Sequence, residues 1–106
     1  MQRTKSMYYK ETAESTELFL YAVNTSELYH RYTVPTIRNL VKKYKHGQYD
    51  QQKAVDAWFN VATIAGKMYS KEFCTINNNP FDVTARFTAA CEMERRYFEN
   101  VENDDI

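Results

Sequence analysis

Residues 34–73 constrain the fold of this chain most, because they carry the start and stop signals of two helices joined by a three-residue turn. Pro35 suits the first turn of a helix, where its missing N–H is not needed. Gly47 supplies the left-handed residue that ends a helix, and Asp50 can cap the next one. Apolar residues recur at helical spacing on both sides of this turn: Ile37, Leu40, Val41 and Tyr44, then Ala54, Val55, Trp58, Val61, Ala62, Ala65, Met68, Tyr69 and Phe73. The segment therefore predicts a pair of amphipathic helices.

The composition extends this prediction to the whole chain. Of its 106 residues 43 % are hydrophobic, while two are glycine and two are proline, which leaves little turn material for a many-stranded fold. We predict an all-α fold, a small bundle of four to five helices with a long central helix at about residues 50–73. Residues 13–101 are expected to form a single helical domain. A flexible N-terminal arm at 1–12 precedes it, and a disordered acidic tail at 102–106 follows.

The helix boundaries in the first third of the chain allow more than one interpretation. Residues 18–23 are apolar enough for a largely buried helix, and a strand is the alternative. Residues 24–27 have the spacing of a capping box that opens the next helix. Because the residue before a proline avoids the helical region, we expect a break at Thr33 and Val34. The alternative is one kinked helix over residues 27–46.

In the second half, Asn79 and Pro80 repeat the signal for a helix start and predict that the last helix begins there. Gly66 lies inside the long helix, where it costs about 1 kcal/mol against alanine, so we expect a packing reason for it. One side of the last helix is expected to be a solvated face with weak ion pairs between residues four apart. These pairs are Glu92 with Arg96, and Arg95 with Glu99.

The formal net charge is zero, but the two signs are separated along the chain. Residues 31–71 contain eight basic and two acidic residues, which gives +6, whereas residues 72–106 contain three arginines and eight acids, which gives −5. The acidic half repels phosphate and weakens a general argument for binding polyanions. The two halves can instead attract each other, within one molecule or between copies.

The basic turn at residues 38–46 is the strongest candidate for a charged functional patch. Its members are Arg38, Lys42, Lys43, Lys45 and His46. They could contact phosphates of a nucleic acid, and the turn after them gives a loose helix-turn-helix outline. The alternative interpretation is a solvated helix end, where basic residues complement the helix dipole.

Nine tyrosines are many for a chain of this length. Tyrosine is favoured at protein interfaces because it offers a large area and a hydrogen-bonding tip with few rotatable bonds. Most of them are expected to line the core. Those expected to be exposed and available to a partner are Tyr8, Tyr9, Tyr32 and Tyr49.

The sequence contains no pattern that carries catalytic or metal chemistry. The soft metal ligands, which are His30, His46, Cys74 and Cys91, lack the short spacing of a zinc site. Two isolated glycines cannot build a phosphate-binding loop. We therefore predict no catalytic, cofactor or metal residues and no small-molecule substrate. No run approaches the roughly 20 apolar residues of a membrane span, and the N-terminus lacks the apolar region of a secretory signal, so we expect a cytoplasmic protein.

Short stretches across residues 27–97 form a collinear pattern. They are Glu27-Leu28-Tyr29, Pro35-Thr36-Ile37-Arg38-Asn39-Leu40, Gly47 with Tyr49-Asp50, Lys53-Ala54-Val55, Tyr69 with Lys71-Glu72-Phe73, and then Phe81, Val83, Arg86, Ala89-Ala90 and Met93. In these stretches the chain resembles a set of short proteins from bacteriophages and phage-like environmental sequences, which have no established activity. The resemblance implies a helical fold and a phage setting, with the cytoplasm of the host cell as its location. It assigns no catalytic or binding residue.

Together these observations predict a small non-catalytic phage accessory protein. It would act by binding an unidentified protein partner or a second copy of itself through helical surfaces. The alternative function is a nucleic-acid-binding module that uses the basic turn.

Overall fold

The computed structural model describes residues 11–73 and 78–105, and within them the all-α prediction is confirmed. No residue of these two ranges lies in a strand, so the strand alternative for residues 18–23 is wrong. The elements are α1 (Ala13–Asn24), α2 (Ser26–Leu28), a π-helical turn (Tyr29–Thr33), α3 (Val34–Lys45), α4 (Gln51–Glu72) and α5 (Val83–Asn103). The long helix predicted at about residues 50–73 is α4. Tyr8, Tyr9 and Cys74 lie outside the described residues.

Helix α5 is the element that packs against α1, α3 and α4 at once. Its contact with α4 is the most extensive in the bundle, and there the Trp58 ring stacks on the Tyr97 ring with 5.1 Å between ring centroids. Trp58 is the largest fully buried side chain of the described residues. In contrast, α3 and α4 make few contacts with each other although they are neighbours in sequence.

The predicted break at Thr33 and Val34 is wrong, because helical backbone continues from α2 into α3. The residues before Pro35 form a π-helical turn, in which the Val34 N–H donates to the Tyr29 carbonyl five residues earlier. This wider turn is one of the ways a helix absorbs a local disruption of its hydrogen-bond ladder. The Thr36 hydroxyl donates to the Tyr32 carbonyl at 2.8 Å. The continuous helical segment was the alternative interpretation, and the structure supports it.

The start and stop signals around the α3–α4 turn are confirmed. Gly47 has a positive φ of 69°, a conformation that L side chains rarely adopt, and ends α3. The Asp50 side chain accepts hydrogen bonds from the backbone N–H groups of Gln52 and Lys53 and caps α4. The capping box predicted at residues 24–27 is wrong, since Asn24 belongs to α1 and the N-cap of α2 makes no side-chain hydrogen bond.

A capping box does occur one helix earlier, at the start of α1. The Ser15 N–H donates to the Thr12 hydroxyl at 3.1 Å, and the Thr12 N–H donates to the Ser15 hydroxyl at 2.9 Å. Serine replaces the usual Glu or Gln at N3, the third residue of the helix. Thr12, which the sequence placed in the flexible arm, is therefore part of the helix start.

Helix α5 begins later than the Asn79-Pro80 signal predicts. Its cap is Asp82, whose side chain accepts from the Ala85 N–H at 2.8 Å. Asn79 instead anchors the connection to α4, where its amide donates to the Thr63 carbonyl at 3.1 Å. A Cβ added to Gly66 would lie 2.8 Å from Asn79 Cγ, which is shorter than real contacts allow. The packing reason expected for Gly66 is thus confirmed, with Asn79 as the close neighbour.

The last helix also extends beyond the predicted end of the domain. α5 continues to Asn103, and the Tyr44 hydroxyl donates to Glu102 at 3.2 Å. The Lys45 ammonium pairs with Asp104 at 2.8 Å. The domain boundary predicted at residue 101 is therefore too early, because α5 includes Glu102 and Asn103, and Asp104 meets the basic end of α3. Phe73 is more exposed than predicted. The sequence placed it on the buried face of α4, whereas 56 % of its surface is exposed.

Candidate functional site

The loose contact between α3 and α4 leaves an open groove on the surface. Its first part, with a volume of about 300 Å³, lies between the two helices. It is lined by Arg31, Tyr32, Pro35, Thr36 and Asn39 on one side, and by Ala57, Asn60, Val61 and Ile64 of α4 on the other. The lining is mainly apolar, with a few polar side chains, which is the composition expected of a surface that recognises other molecules.

The groove continues along α4 toward the end of α1. This second part has a volume of about 560 Å³. It is lined by Tyr21, Thr25, Glu27, Arg31, Tyr32, Met68, Lys71 and Glu72. Arg31 and Tyr32 line both parts, so the two parts adjoin at these side chains, and we call them together the α4 groove. Of the proposed aromatic contacts that the structure describes, Tyr32 and Tyr49, Tyr32 is the one that lies in it.

The π-helical turn sets the position of Tyr32. One extra residue in that turn rotates the side chains that follow it relative to a regular α-helix. Thr33 is fully buried there, while the neighbouring Tyr32 is half-buried at the junction of the two parts of the groove. The Arg31 guanidinium lies 5.9 Å from the centre of the Tyr32 ring, within the range of a cation–π contact. The disruption caused by Pro35 therefore presents an aromatic ring to the groove.

Charges of both signs surround the wider part of the groove. Glu27 and Arg31 form an exposed ion pair at 3.5 Å, one turn apart. Tyr21 donates a hydrogen bond to Glu72 across the gap between α1 and α4. Burial, together with this bond to a carboxylate, raises the pKa of Tyr21 to about 12. The Tyr21 hydroxyl therefore stays protonated at neutral pH.

All members of the predicted basic turn are exposed on α3 and its C-terminal cap. Lys45 pairs with Asp104 at 2.8 Å. Lys43 and His46 follow Asn39 at spacings of four and three, so they continue the side of α3 that borders the groove. Arg38, Lys42 and Lys45 follow one another at spacings of four and three, so they share the neighbouring exposed stripe of the same helix.

The Tyr49 side chain is half-buried rather than exposed, and it belongs to the interior of the fold. Its ring lies 5.4 Å from that of Phe98 and 6.1 Å from that of Tyr44, measured between centroids. Its hydroxyl donates to the Glu94 carboxylate at 2.5 Å. Tyr49 therefore ties the α3–α4 turn to α5. This role within the fold explains its presence, and no contact with another molecule is needed to account for it.

Sequence reasoning missed two buried carboxylates on α5. Glu94 is 1 % exposed, and Glu92 is 8 % exposed and packs against the start of α1. One Glu92 oxygen is buried without a hydrogen-bond partner. Residues of opposite charge four apart are typical of a solvated face, so nothing in the sequence indicated the burial of Glu92. Arg95, Arg96 and Glu99 are exposed, as expected for such a face.

Burial raises the pKa of Glu92 to about 7, and the nearby carboxylate of Glu11 adds to the effect. A hydrogen bond from Ser15 and the positive charge of Arg95 act in the opposite direction. Because the pKa is higher in the folded chain than in the unfolded one, the protonated side chain favours folding. That stabilisation is complete below pH 4.5 and is lost as the pH rises to about 7.

Glu92→Gln should remove this pH dependence, because glutamine stays neutral. At pH 8 we expect the variant to be more stable than the parent by about 1–2 kcal/mol, a value reduced for partial solvent screening of the carboxylate. Urea unfolding followed by circular dichroism at pH 4 and pH 8 measures it. Glu99→Gln, a change at an exposed site on the same helix, is the control. An equal effect of Glu92→Gln at both pH values would contradict the assignment.

The described residues were also compared with the requirements of a metal site and of a membrane-spanning helix. In residues 11–73 and 78–105, no group of three or more His, Cys, Asp or Glu side chains could hold a metal ion. Within the same ranges, none of the helices has the length and apolar character required to span a bilayer. Comparison with known protein families, curated proteins and solved structures gives no match to this chain.

Proposed function

We propose that this chain is a small non-catalytic protein that binds another protein through the α4 groove. The observation that carries the proposal is the open space between α3 and α4. Two amphipathic helices that are adjacent in sequence would normally close over each other, but here each packs on α5 and leaves an apolar flank accessible. Grooves between helices are a common site for binding a segment of a partner protein.

The setting of this function follows from the resemblance to short bacteriophage proteins. In that setting the chain is an accessory protein that acts in the cytoplasm of the host cell. Its partner is a host protein or a phage protein. The simplest phage partner is a second copy of this chain. The opposite charges of the two halves are compatible with each of these partners.

The proposal is tested by filling the groove. Asn60 is exposed and lines the groove, so Asn60→Trp should block it without disturbing the core. Gln52→Trp places the same side chain two turns earlier on an exposed part of α4, outside the groove, and is the matched control. We expect the parent and the control to capture the same protein from nuclease-treated bacterial lysate, and Asn60→Trp to lose at least nine-tenths of it. Sedimentation of the purified chain shows whether the captured protein is the chain itself.

Equal capture by all three proteins would contradict the proposal. So would a chain that is monomeric and captures nothing. Thermal melts of both variants establish that the tryptophans leave the fold intact.

A second candidate function, nucleic-acid binding, is favoured by the exposure of Arg38, Lys42 and Lys43. Pairing of Lys45 with Asp104 weakens it, since the basic end of α3 already has an acidic neighbour. Retention of DNA or RNA that falls steeply with salt, and that Lys42→Glu with Lys43→Glu abolishes, would support it. Lysate capture that depends on Asn60 and survives nuclease treatment would exclude this function as the role of the groove.

A further inference from the structure

We infer that the occupant of the α4 groove is an acidic amphipathic helix of a partner protein. This inference rests on the proposed function and specifies the chemistry of the partner. It is carried by three properties of the groove, which are its length, the secondary structure of its walls and the charge of the helices that border it.

The length of the groove suits a helix of about four turns. The residues of α4 that line it extend from Ala57 to Glu72. At about 1.5 Å per residue, this wall is about 22 Å long. Its apolar members Ala57, Val61, Ile64 and Met68 recur at spacings of four, three and four. A helix lying along this wall would contact it through residues with the same spacing.

The walls favour a helix over an extended peptide. Both sides of the groove are helical, and their backbone N–H and C=O groups are used within the helices. An extended peptide would find no strand edge to pair with, so its own backbone groups would lose water without gaining partners. A helix satisfies its backbone internally and buries only one apolar face.

The charge near one end of the groove favours an acidic helix. The four charged side chains that line the groove are balanced in sign, since Glu27 pairs with Arg31 at 3.5 Å and Lys71 and Glu72 are neighbours on α4. The surface beyond the end near the α3–α4 turn is basic, because Lys43 continues the side of α3 that carries Asn39 and Lys53 lies one turn before Ala57 on α4. Acidic residues on the partner would therefore meet basic side chains at the end near the turn.

Selection from a display library of random 16-residue peptides tests the inference. The parent chain is the bait, and peptides that also bind the Asn60→Trp variant are discarded. The remaining peptides should be enriched in Asp and Glu and should have apolar residues at i, i+3 or i+4, and i+7. The affinity of the best peptide, measured by fluorescence anisotropy, should fall at least tenfold in the Lys43→Glu, Lys53→Glu double variant. Arg95→Glu with Arg96→Glu, the same charge change on α5, should alter it less than twofold.

The inference would be overturned if the selected peptides were basic, if they were rich in proline, or if apolar and polar residues alternated along them. An unchanged affinity in the Lys43→Glu, Lys53→Glu variant would overturn it as well. Each of these results leaves the proposed function intact as long as binding depends on Asn60. Loss of that dependence in lysate capture defeats the proposed function itself, and the two failures are therefore distinguishable.

Discussion

Replacing Trp58 with alanine should destabilise the folded chain by about 3–5 kcal/mol, the usual cost of truncating a fully buried tryptophan. Trp58 is 1 % exposed, and its ring stacks on Tyr97 where α4 and α5 meet. The change would remove the stacking contact and leave a cavity in the most extensive contact between helices. Because the net stability of a domain this size is about 5–15 kcal/mol, we expect a large part of it to be lost.

Urea unfolding monitored by far-ultraviolet circular dichroism measures this effect without relying on tryptophan fluorescence. Trp58→Phe is the matched control, since it keeps an aromatic ring against Tyr97 and should cost clearly less than Trp58→Ala. A loss below 1 kcal/mol for Trp58→Ala would show that Trp58 is not the centre of the core.

Replacing Glu94 with alanine should cost about 2–3 kcal/mol, the range for removing hydrogen bonds to a buried charged group. Glu94 accepts from the Tyr49 hydroxyl at 2.5 Å and from the Gln51 side-chain amide at 3.4 Å. Both donors lie next to the start of α4, so the carboxylate ties the α3–α4 turn to α5. Truncation would leave these donors without their acceptor in a partly buried site.

A double-mutant cycle with Tyr49→Phe separates this bond from the other effects of truncation. Tyr49→Phe alone should cost about 1–1.5 kcal/mol. If the two residues act through one bond, the double variant should be less destabilised than the sum of the single variants by about 1 kcal/mol. Strict additivity would mean that the bond does not stabilise the fold.

The sequence was sufficient to predict where α3 ends and where α4 begins, because each of these two boundaries depends on one residue with a local effect. Gly47 acts through its own backbone conformation, and Asp50 acts through the N–H groups of the next turn. The apolar spacing that includes Trp58 also indicated the buried face of α4, except at its end, where Phe73 is 56 % exposed. The signals of Gly47 and Asp50 are local, so they do not depend on how the rest of the chain packs.

The features that the sequence did not predict depend on neighbours distant in the chain. Glu92 and Glu94 lie in a run of charged residues that is typical of a solvated face, and only the packing of α1 and the α3–α4 turn onto α5 buries them. Pro35 indicated a disturbance of the helix, but its position alone does not distinguish a break from a π-helical turn. The groove arises because α3 and α4 both pack on α5, and this preference is a property of three helices together.

The same arrangement has a consequence for how the chain folds during synthesis. α5 contacts α1, α3 and α4, yet it is made after all of them. While the ribosome is still adding α5, the earlier helices lack the surface on which they assemble, and Trp58 lacks its stacking partner. The bundle can therefore assemble only after α5 has emerged from the ribosome. Until then the apolar faces of the earlier helices are exposed and can bind chaperones or aggregate.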